Sequence, residues 1–334
     1  MSATSTAAHR SGLGDLARGH GPGAILLVAV LGTASAYGAL QLLDDGSRGA
    51  ALVALVLLFW LSAWRLTALL SALEPAGRPA RLALSVLIPV LFGGTLLLLW
   101  EFLVRGLQVP VILLPPPSAI AAKFAGSLPT LWADFVQTYL KAVLAGYAIG
   151  CGAGFLVAIL VDRSPFWKRG VMPVGNLVSA LPVVGIAPVM VMWFGFDWPS
   201  KAAVVVVMTF FPMLVNTVAG LNAAGRMERD LMRTYAASHG QTLMKLRLPA
   251  ALPFIFNALK INSTLALIGA IVAEFFGTPI VGMGFRISVE IGRMNTDMVW
   301  AEITVAALAG SISYGLLSLV ERVATFWHPS YRKG

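Results

Sequence analysis

Eight stretches of this chain are long and apolar enough to cross a lipid bilayer, and that repetition limits the possible folds more than any other feature. They cover residues 24–43, 50–73, 82–104, 139–161, 171–194, 201–221, 251–275 and 301–320. A hydrocarbon core takes about 20 helical residues per crossing. Inside lipid every backbone polar group must be satisfied within the segment, so such runs fold as helices. The expected fold class is an all-α polytopic membrane protein. Composition agrees: 58% of the 334 residues are hydrophobic and 12% charged, too few charges to cover a soluble domain. A net charge of +9 raises the possibility of nucleic-acid binding. The charges, however, sit in short loops between apolar runs and form no single basic face, so the bilayer is the expected partner and nucleic acid is not.

Orientation follows from the loop cations. With the N-terminus inside, the inner segments hold fifteen Lys and Arg, from Arg10 and Arg18 to Arg332 and Lys333. The outer segments hold six: Arg48, Arg105, Lys123, Lys201, Arg286 and Arg293. Both termini are therefore expected in the cytoplasm, with residues 1–23 and 326–334 as tails. Residues Ala34-Ser35-Ala36 resemble a signal-peptide cleavage site, but the apolar run continues past them, which favours an uncleaved span. The linker Glu74-Pro75-Ala76-Gly77-Arg78-Pro79 sets off an accessory pair of spans, 24–81, from a core of six, 82–325.

Two segments depart from regular helix. Pro115, Pro116 and Pro117 imply an ordered turn followed by a short interfacial helix near residues 119–124. The run 171–194 carries Pro173, Gly175, Pro182, Gly185 and Pro188 with the polar Asn176 and Ser179. Broken helices persist at membrane depth where protein or a water-filled cavity satisfies the freed backbone groups. This span is expected to line a pathway; a kinked packing helix is the competing reading.

The stretch 228–253, ERDLMRTYAASHGQTLMKLRLPAALP, is the one long polar, helix-forming segment. Leu231, Met232, Tyr235 and Ala236 fall at helical spacing beside Arg229, Arg233 and Ser238. It reads as a short amphipathic helix across the end of the membrane domain, with Leu248-Pro249 starting the next span. No P-loop and no paired-histidine metal motif occurs, and the four histidines lie outside the spans. Cys151, the single cysteine, reads as a buried structural thiol. Of the ionisable residues in or near spans, Arg65, Glu101, Lys141 and Lys260 are explained by snorkelling, while Glu274 stands out.

The stretch 228–253 resembles the cytoplasmic coupling loop of ABC importer permeases, written E-A-A, three residues, Gly, nine residues, then I-x-L-P. Read without gaps, Asp230 takes the acidic position, Ala236 the glycine position, and Leu246, Leu248 and Pro249 the last motif. A second register puts Gly240 on the glycine, Leu252-Pro253 on the L-P and Thr234 on the acid. The first is preferred, because Ala237-Ser238 and Gln241 then also fit the family's G-A-S-x-x-Q wording. Leu114-Pro115-Pro116-Pro117-Ser118, Met192-Trp193-Phe194-Gly195-Phe196-Asp197, Leu248-Pro249-Ala250-Ala251-Leu252-Pro253 and Ile271-Val272-Ala273-Glu274 occur in the order seen in the nitrate, sulfonate and taurine branch.

The resemblance implies the type I importer permease fold in the bacterial inner membrane. It implies a dimer of permeases, two separate ATPase subunits that bind ATP and Mg, and a periplasmic binding protein; no cofactor is implied in this chain. Asp230, Leu231, Arg233, Tyr235, Ala236, Ala237, Ser238 and Gly240 would form the ATPase-coupling site within a loop over 222–249. Candidate pathway residues are Asn176, Ser179, Pro182, Met190, Asn216, Asn262, Ser263 and Thr264, with Glu274 at the outer gate. Each could instead make a helix–helix contact, the commoner role of such residues. The branch allows nitrate, sulfonates, taurine, pyrimidines, thiamine precursors or riboflavin, and the scarcity of fixed cations among the pathway candidates favours a neutral or heterocyclic solute over a small anion. The rival reading is an ATP-independent transporter or channel, which predicts inverted repeats and buried ion-coupling carboxylates. A membrane enzyme lacks any evident nucleophile–base pair.

Overall fold

The computed structural model describes residues 22–327 apart from 74, 76, 180–181 and 278–279. Most of both expected tails lies outside these residues. Among the described residues the regular structure is entirely helical. They form two compact units that divide between Ala122 and Lys123.

The first unit holds α1 (Pro22–Asp44), α2 (Ala50–Ser71) and α3 (Arg78–Gly106). Ala39, Leu43, Leu52, Phe59 and Phe102 form its core, with Phe59 edge-on to Phe102 at 5.6 Å. Arg105 near the end of α3 pairs with Asp44 at 2.5 Å. Glu101 accepts hydrogen bonds from the Ser118 amide and hydroxyl at 2.9 and 2.7 Å, fixing the start of α4 (Pro117–Gly126). The short helix expected after the proline turn is therefore present.

The second unit contains α5 (Leu128–Asp162), α6 (Pro165–Ser179), α7 (Val183–Phe194), α8 (Trp198–Leu221), α9 (Arg226–Thr234), α10 (His239–Glu274), α11 (Met283–Gly292) and α12 (Thr296–Ala324). Helix α8 runs between α5 and α10, with Val204, Val205, Leu214 and Leu221 completely buried. The α5 contact depends on Gly146, Gly150 and Gly154, one every fourth residue. A Cβ on Gly146 would lie 2.6 Å from the Ala202 carbonyl, and the other two face Thr209 and Phe210 as closely. Small residues at this spacing let membrane helices approach backbone to backbone.

Among the described residues seven helices are long and apolar enough to cross a membrane. The eighth expected span, 171–194, is α6 and α7, interrupted at Pro182, whose ψ of 123° is extended. The chain leaves one end of the unit after Asp162 and reaches the other by Asp197, which binds Gln137, so the two short helices make that crossing together. Two helix starts differ from the expectation. Helix α5 begins at Leu128, not near 139, and widens into a π-helical stretch over Val136–Val143. Helix α10 begins at His239, ahead of Leu248-Pro249, and passes through a π turn at Leu243–Arg247.

Candidate functional site

At one end of the second unit the polar segment is not one helix. Helix α9 stops at Thr234, Ala236 takes a left-handed φ of 53°, and Ser238 opens α10. The Ser238 hydroxyl accepts from the Gln241 amide N–H, and the Gln241 side chain accepts from the Ser238 N–H at 2.8 Å. This reciprocal capping box satisfies two helix-terminal donors. Tyr235 and Ala236 therefore lie in the turn and not on the helix face expected from their spacing, because the capping box starts a new helix three residues later. Gly240 lies within that new helix, and its Cβ position faces open space.

No residue of α9 is buried. Met227, Leu231 and Tyr235 are 83%, 55% and 76% exposed, while Met232 and Ala237 are half-buried. Arg233 reaches Asp230 at 3.3 Å, a solvent-exposed pair of little energetic weight. Behind this surface the Arg247 guanidinium grips both Asp162 oxygens at 2.6 and 2.8 Å. Its Nε also donates to the Leu221 carbonyl at 2.9 Å.

The opposite end is tied by buried polar groups. Asp134 is fully buried and accepts from the Gly282 amide at 2.6 Å and from Arg286 Nε at 2.9 Å. That carboxylate holds the Arg286 guanidinium above its ordinary pKa. Thr138 donates to Glu274 at 2.7 Å and accepts from the Met283 amide at 2.8 Å, while the other Glu274 oxygen accepts from the Gly284 amide. Lys201, buried in the first turn of α8, donates to the Phe196 carbonyl at 2.6 Å and to the Gly277 carbonyl. Asp197 caps α8 by accepting from the Trp198 amide and also from Gln137, both at 2.7 Å. The Trp198 N–H first, and then the Gln137 amide, hold its carboxyl below the usual range. Lys141 donates to Gln137 at 3.0 Å, and these groups line an 820 Å³ cavity with Trp132, Phe196 and Val281.

The sequence candidates for a pathway are not gathered round one cavity. Asn262 is fully buried and donates to the Thr209 carbonyl at 2.8 Å and to Cys151 Sγ at 3.2 Å, a contact between helices. Asn216, Ser263 and Thr264 bond carbonyls of their own helices. Ser263 also borders a 600 Å³ apolar groove between α5 and α12. Met190 packs on Ala187, Val204 and Ala273. Pro182 is exposed. The side chains of Asn176 and Ser179 lie outside the described residues. Glu274 sits at a helix end as expected, buried and bonded. Asp134, Thr138, Arg286, Asp162 and Arg247 carry no local signal; apart from the Leu221 carbonyl, 26 residues from Arg247, their hydrogen-bond partners lie 85 to 152 residues away along the chain. Among the described residues no group of His, Cys, Asp and Glu could hold a metal ion.

Residues 150–328 match the family described as the binding-protein-dependent transport system inner membrane component. The chain belongs to that family. It is a multi-pass inner-membrane permease of the ABC importer type, in line with the sulfonate, taurine and nitrate branch. It is similar to the formylaminopyrimidine transport permease protein ThiX of Halalkalibacterium halodurans, 32% identical over 72% of this chain and 95% of that one. The riboflavin transport system permease protein RibX of Chloroflexus aurantiacus is 30% identical over 70% of this chain and 88% of its own. The taurine transport system permease protein TauC of Escherichia coli is 28% identical over 70% and 87%.

Proposed function

We propose that this permease forms, with a second copy or a paralogue, the pathway of an ATP-driven importer, and that residues 230–240 seat in a cleft of a separate ATPase subunit. The observation that carries this reading is the exposed apolar pair Met227 and Leu231 on a short helix with no buried residue, flanked by cations and followed by the exposed Tyr235 in the turn. A surface of this kind is stable beside a partner. The left-handed backbone at Ala236 supports the register that puts it on the family's glycine position, since glycine adopts that conformation without steric cost. Asp230, Arg233, Ala237, Ser238 and Gly240 complete the contact surface. ATP and Mg belong to the partner, and closure of two such ATPases would move the permeases as rigid bodies between inward- and outward-facing states.

The α9 end and both termini are cytoplasmic in this reading, by the excess of basic residues on that side. Residues 82–325 act as the permease core and 24–81 as an accessory pair. Glu274 and its bonded neighbours form the outer gate, where a periplasmic binding protein delivers the solute. Pro182, Met190 and the broken α6–α7 pair with Asn176 and Ser179 border the path, with Asn216, Ser263 and Thr264 beside it, while the fully buried Asn262 ties the helices behind it. A small heterocycle of pyrimidine or riboflavin type is the proposed solute class, supported by the names of relatives at 32% and 30% identity. The test is a pull-down from membranes that also express the cognate ATPase. Wild type is expected to recover it stoichiometrically, and the Asp230→Arg, Tyr235→Asp double variant to lose it while remaining folded. Absence of ATPase from folded wild type would end this reading.

A further inference from the structure

We propose that Arg247 and Asp162 form the joint through which movement of α9 reaches the membrane helices, an inference that rests on the coupling role given to α9 above. Three helices of the packed core meet at one side chain. Asp162 is the last residue of α5, Leu221 the last of α8, and Arg247 lies in the π turn of α10 just before Pro249. The Arg247 Nη1 and Nη2 bonds to the two Asp162 oxygens, at 2.6 and 2.8 Å, are the fork-on-fork arrangement that fixes direction as well as distance. The third bond, from Nε to the Leu221 carbonyl at 2.9 Å, uses a helix-terminal acceptor that has no partner within its own helix. A guanidinium there also faces the negative ends of two helix dipoles.

The pair is nearly closed off from solvent, with side-chain exposures of 11% and 4%. A buried ion pair adds little net stability, because desolvation offsets most of its attraction. The three helices need no ion pair to stay together. Helix α5 is locked on α8 by the glycine ridge, and Met213, Leu221, Ala251, Ile255 and Ala258 bury the α8–α10 contact. What the joint adds is a fixed angle between helix ends. The exposed α9 is linked to it by only a short path: the turn at 235–237, the Ser238 capping box, and two turns of α10. Movement of α9 is thus delivered to the segment that holds Arg247, and Arg247 passes it to α5 and α8 together. Both of these helices carry groups of the far polar cluster, Asp134, Thr138 and Lys201.

The experiment uses the full chain in complex with its ATPase, in nanodiscs, with an environment-sensitive dye on one introduced thiol. Glu228→Cys, at an exposed position on α9 outside the 230–240 contact, reports there, and Ser288→Cys, at an exposed position on α11, reports at the far end; native Cys151 is buried and stays unlabelled. The trigger is Mg-ATP with vanadate. In wild type both dyes are expected to respond. In Asp162→Asn, which is isosteric, and in Arg247→Lys, which keeps the charge but loses the fork, the ATPase should stay bound. The α9 response should persist while the far response falls at least fivefold. A merely structural role would lower thermal stability and leave the ratio of the two responses unchanged. That unchanged ratio in either folded variant, or equal loss of both responses with the ATPase retained, would overturn the joint. Failure of wild type to hold the ATPase at all would remove the coupling reading, and the joint with it.

Discussion

Replacing Asp134 tests whether the far end is held by its buried carboxylate. In Asp134→Ala the Arg286 guanidinium loses its 2.9 Å partner and the Gly282 amide its 2.6 Å acceptor. Stranding one member of a buried pair costs about 3–5 kcal/mol. Arg286 keeps a side-chain exposure of 20%, so water recovers part of that loss and the low end, about 3 kcal/mol, applies. The orphaned amide adds about 1 kcal/mol, giving about 4 kcal/mol in all. Asp134→Asn keeps an acceptor for Gly282 but not the charge, and should cost about 3 kcal/mol. Adding Arg286→Gln to Asp134→Asn should cost less than the sum of the single changes, because no charge is then left stranded. Equilibrium unfolding of the isolated chain in mixed micelles, with SDS as denaturant, measures all four. An Asp134→Ala variant within about 1 kcal/mol of wild type, or a strictly additive cycle, would refute the reasoning.

Other expectations follow from the same geometry. Glu302 is fully buried and interacts with the Asp134 carboxyl and the Arg286 guanidinium. Glu302→Gln should therefore be neutral or stabilising in the same unfolding assay, in contrast to Asp134→Asn. Gly150→Val places a branched side chain against Thr209 and the Val206 backbone; it should cost more than 3 kcal/mol, read as loss of monodisperse folded protein. Asp197→Ala removes the α8 cap and should cost about 1 kcal/mol. Because the folded pKa of Asp197 is depressed, its contribution is present above the ordinary carboxylate pKa of about 4 and disappears as pH falls through the lower folded value; thermal unfolding from pH 6 to 3 should show wild type and Asp197→Ala converging. Ala236→Gly should leave stability within about 0.5 kcal/mol, relief of the left-handed strain being offset by added chain freedom. Ala236→Val should weaken ATPase recovery in the pull-down, since a branched residue resists that conformation.

The apolar runs made the helical membrane fold legible, and the prolines at 173, 182 and 188 announced the broken crossing. Two helix starts were hidden for different reasons. The segment 128–138 looks like a loop because it holds Pro129, Asp134, Gln137 and Thr138. Those polar groups are consumed by Asp197, Glu274, Gly282 and Arg286, whose proximity no local pattern reveals. The start of α10 was readable, since Ser238-His239-Gly240-Gln241 is a capping-box spacing, but Pro249 drew the boundary later. The exposed α9 followed from its charges and spacing. The Asp162–Arg247 joint did not, because an aspartate and an arginine at the ends of apolar runs carry no sign of mutual contact.

The central claim is that the α9 segment meets an ATPase, and site-specific photo-cross-linking tests it most directly. A photoreactive residue at Leu231 or Tyr235, in cells that express the cognate ATPase, should give a permease–ATPase adduct; the same residue at Ser288, at the far end, should give none. Adduct at Ser288 but not at Leu231 or Tyr235, with ATPase present in the membranes, would contradict the account.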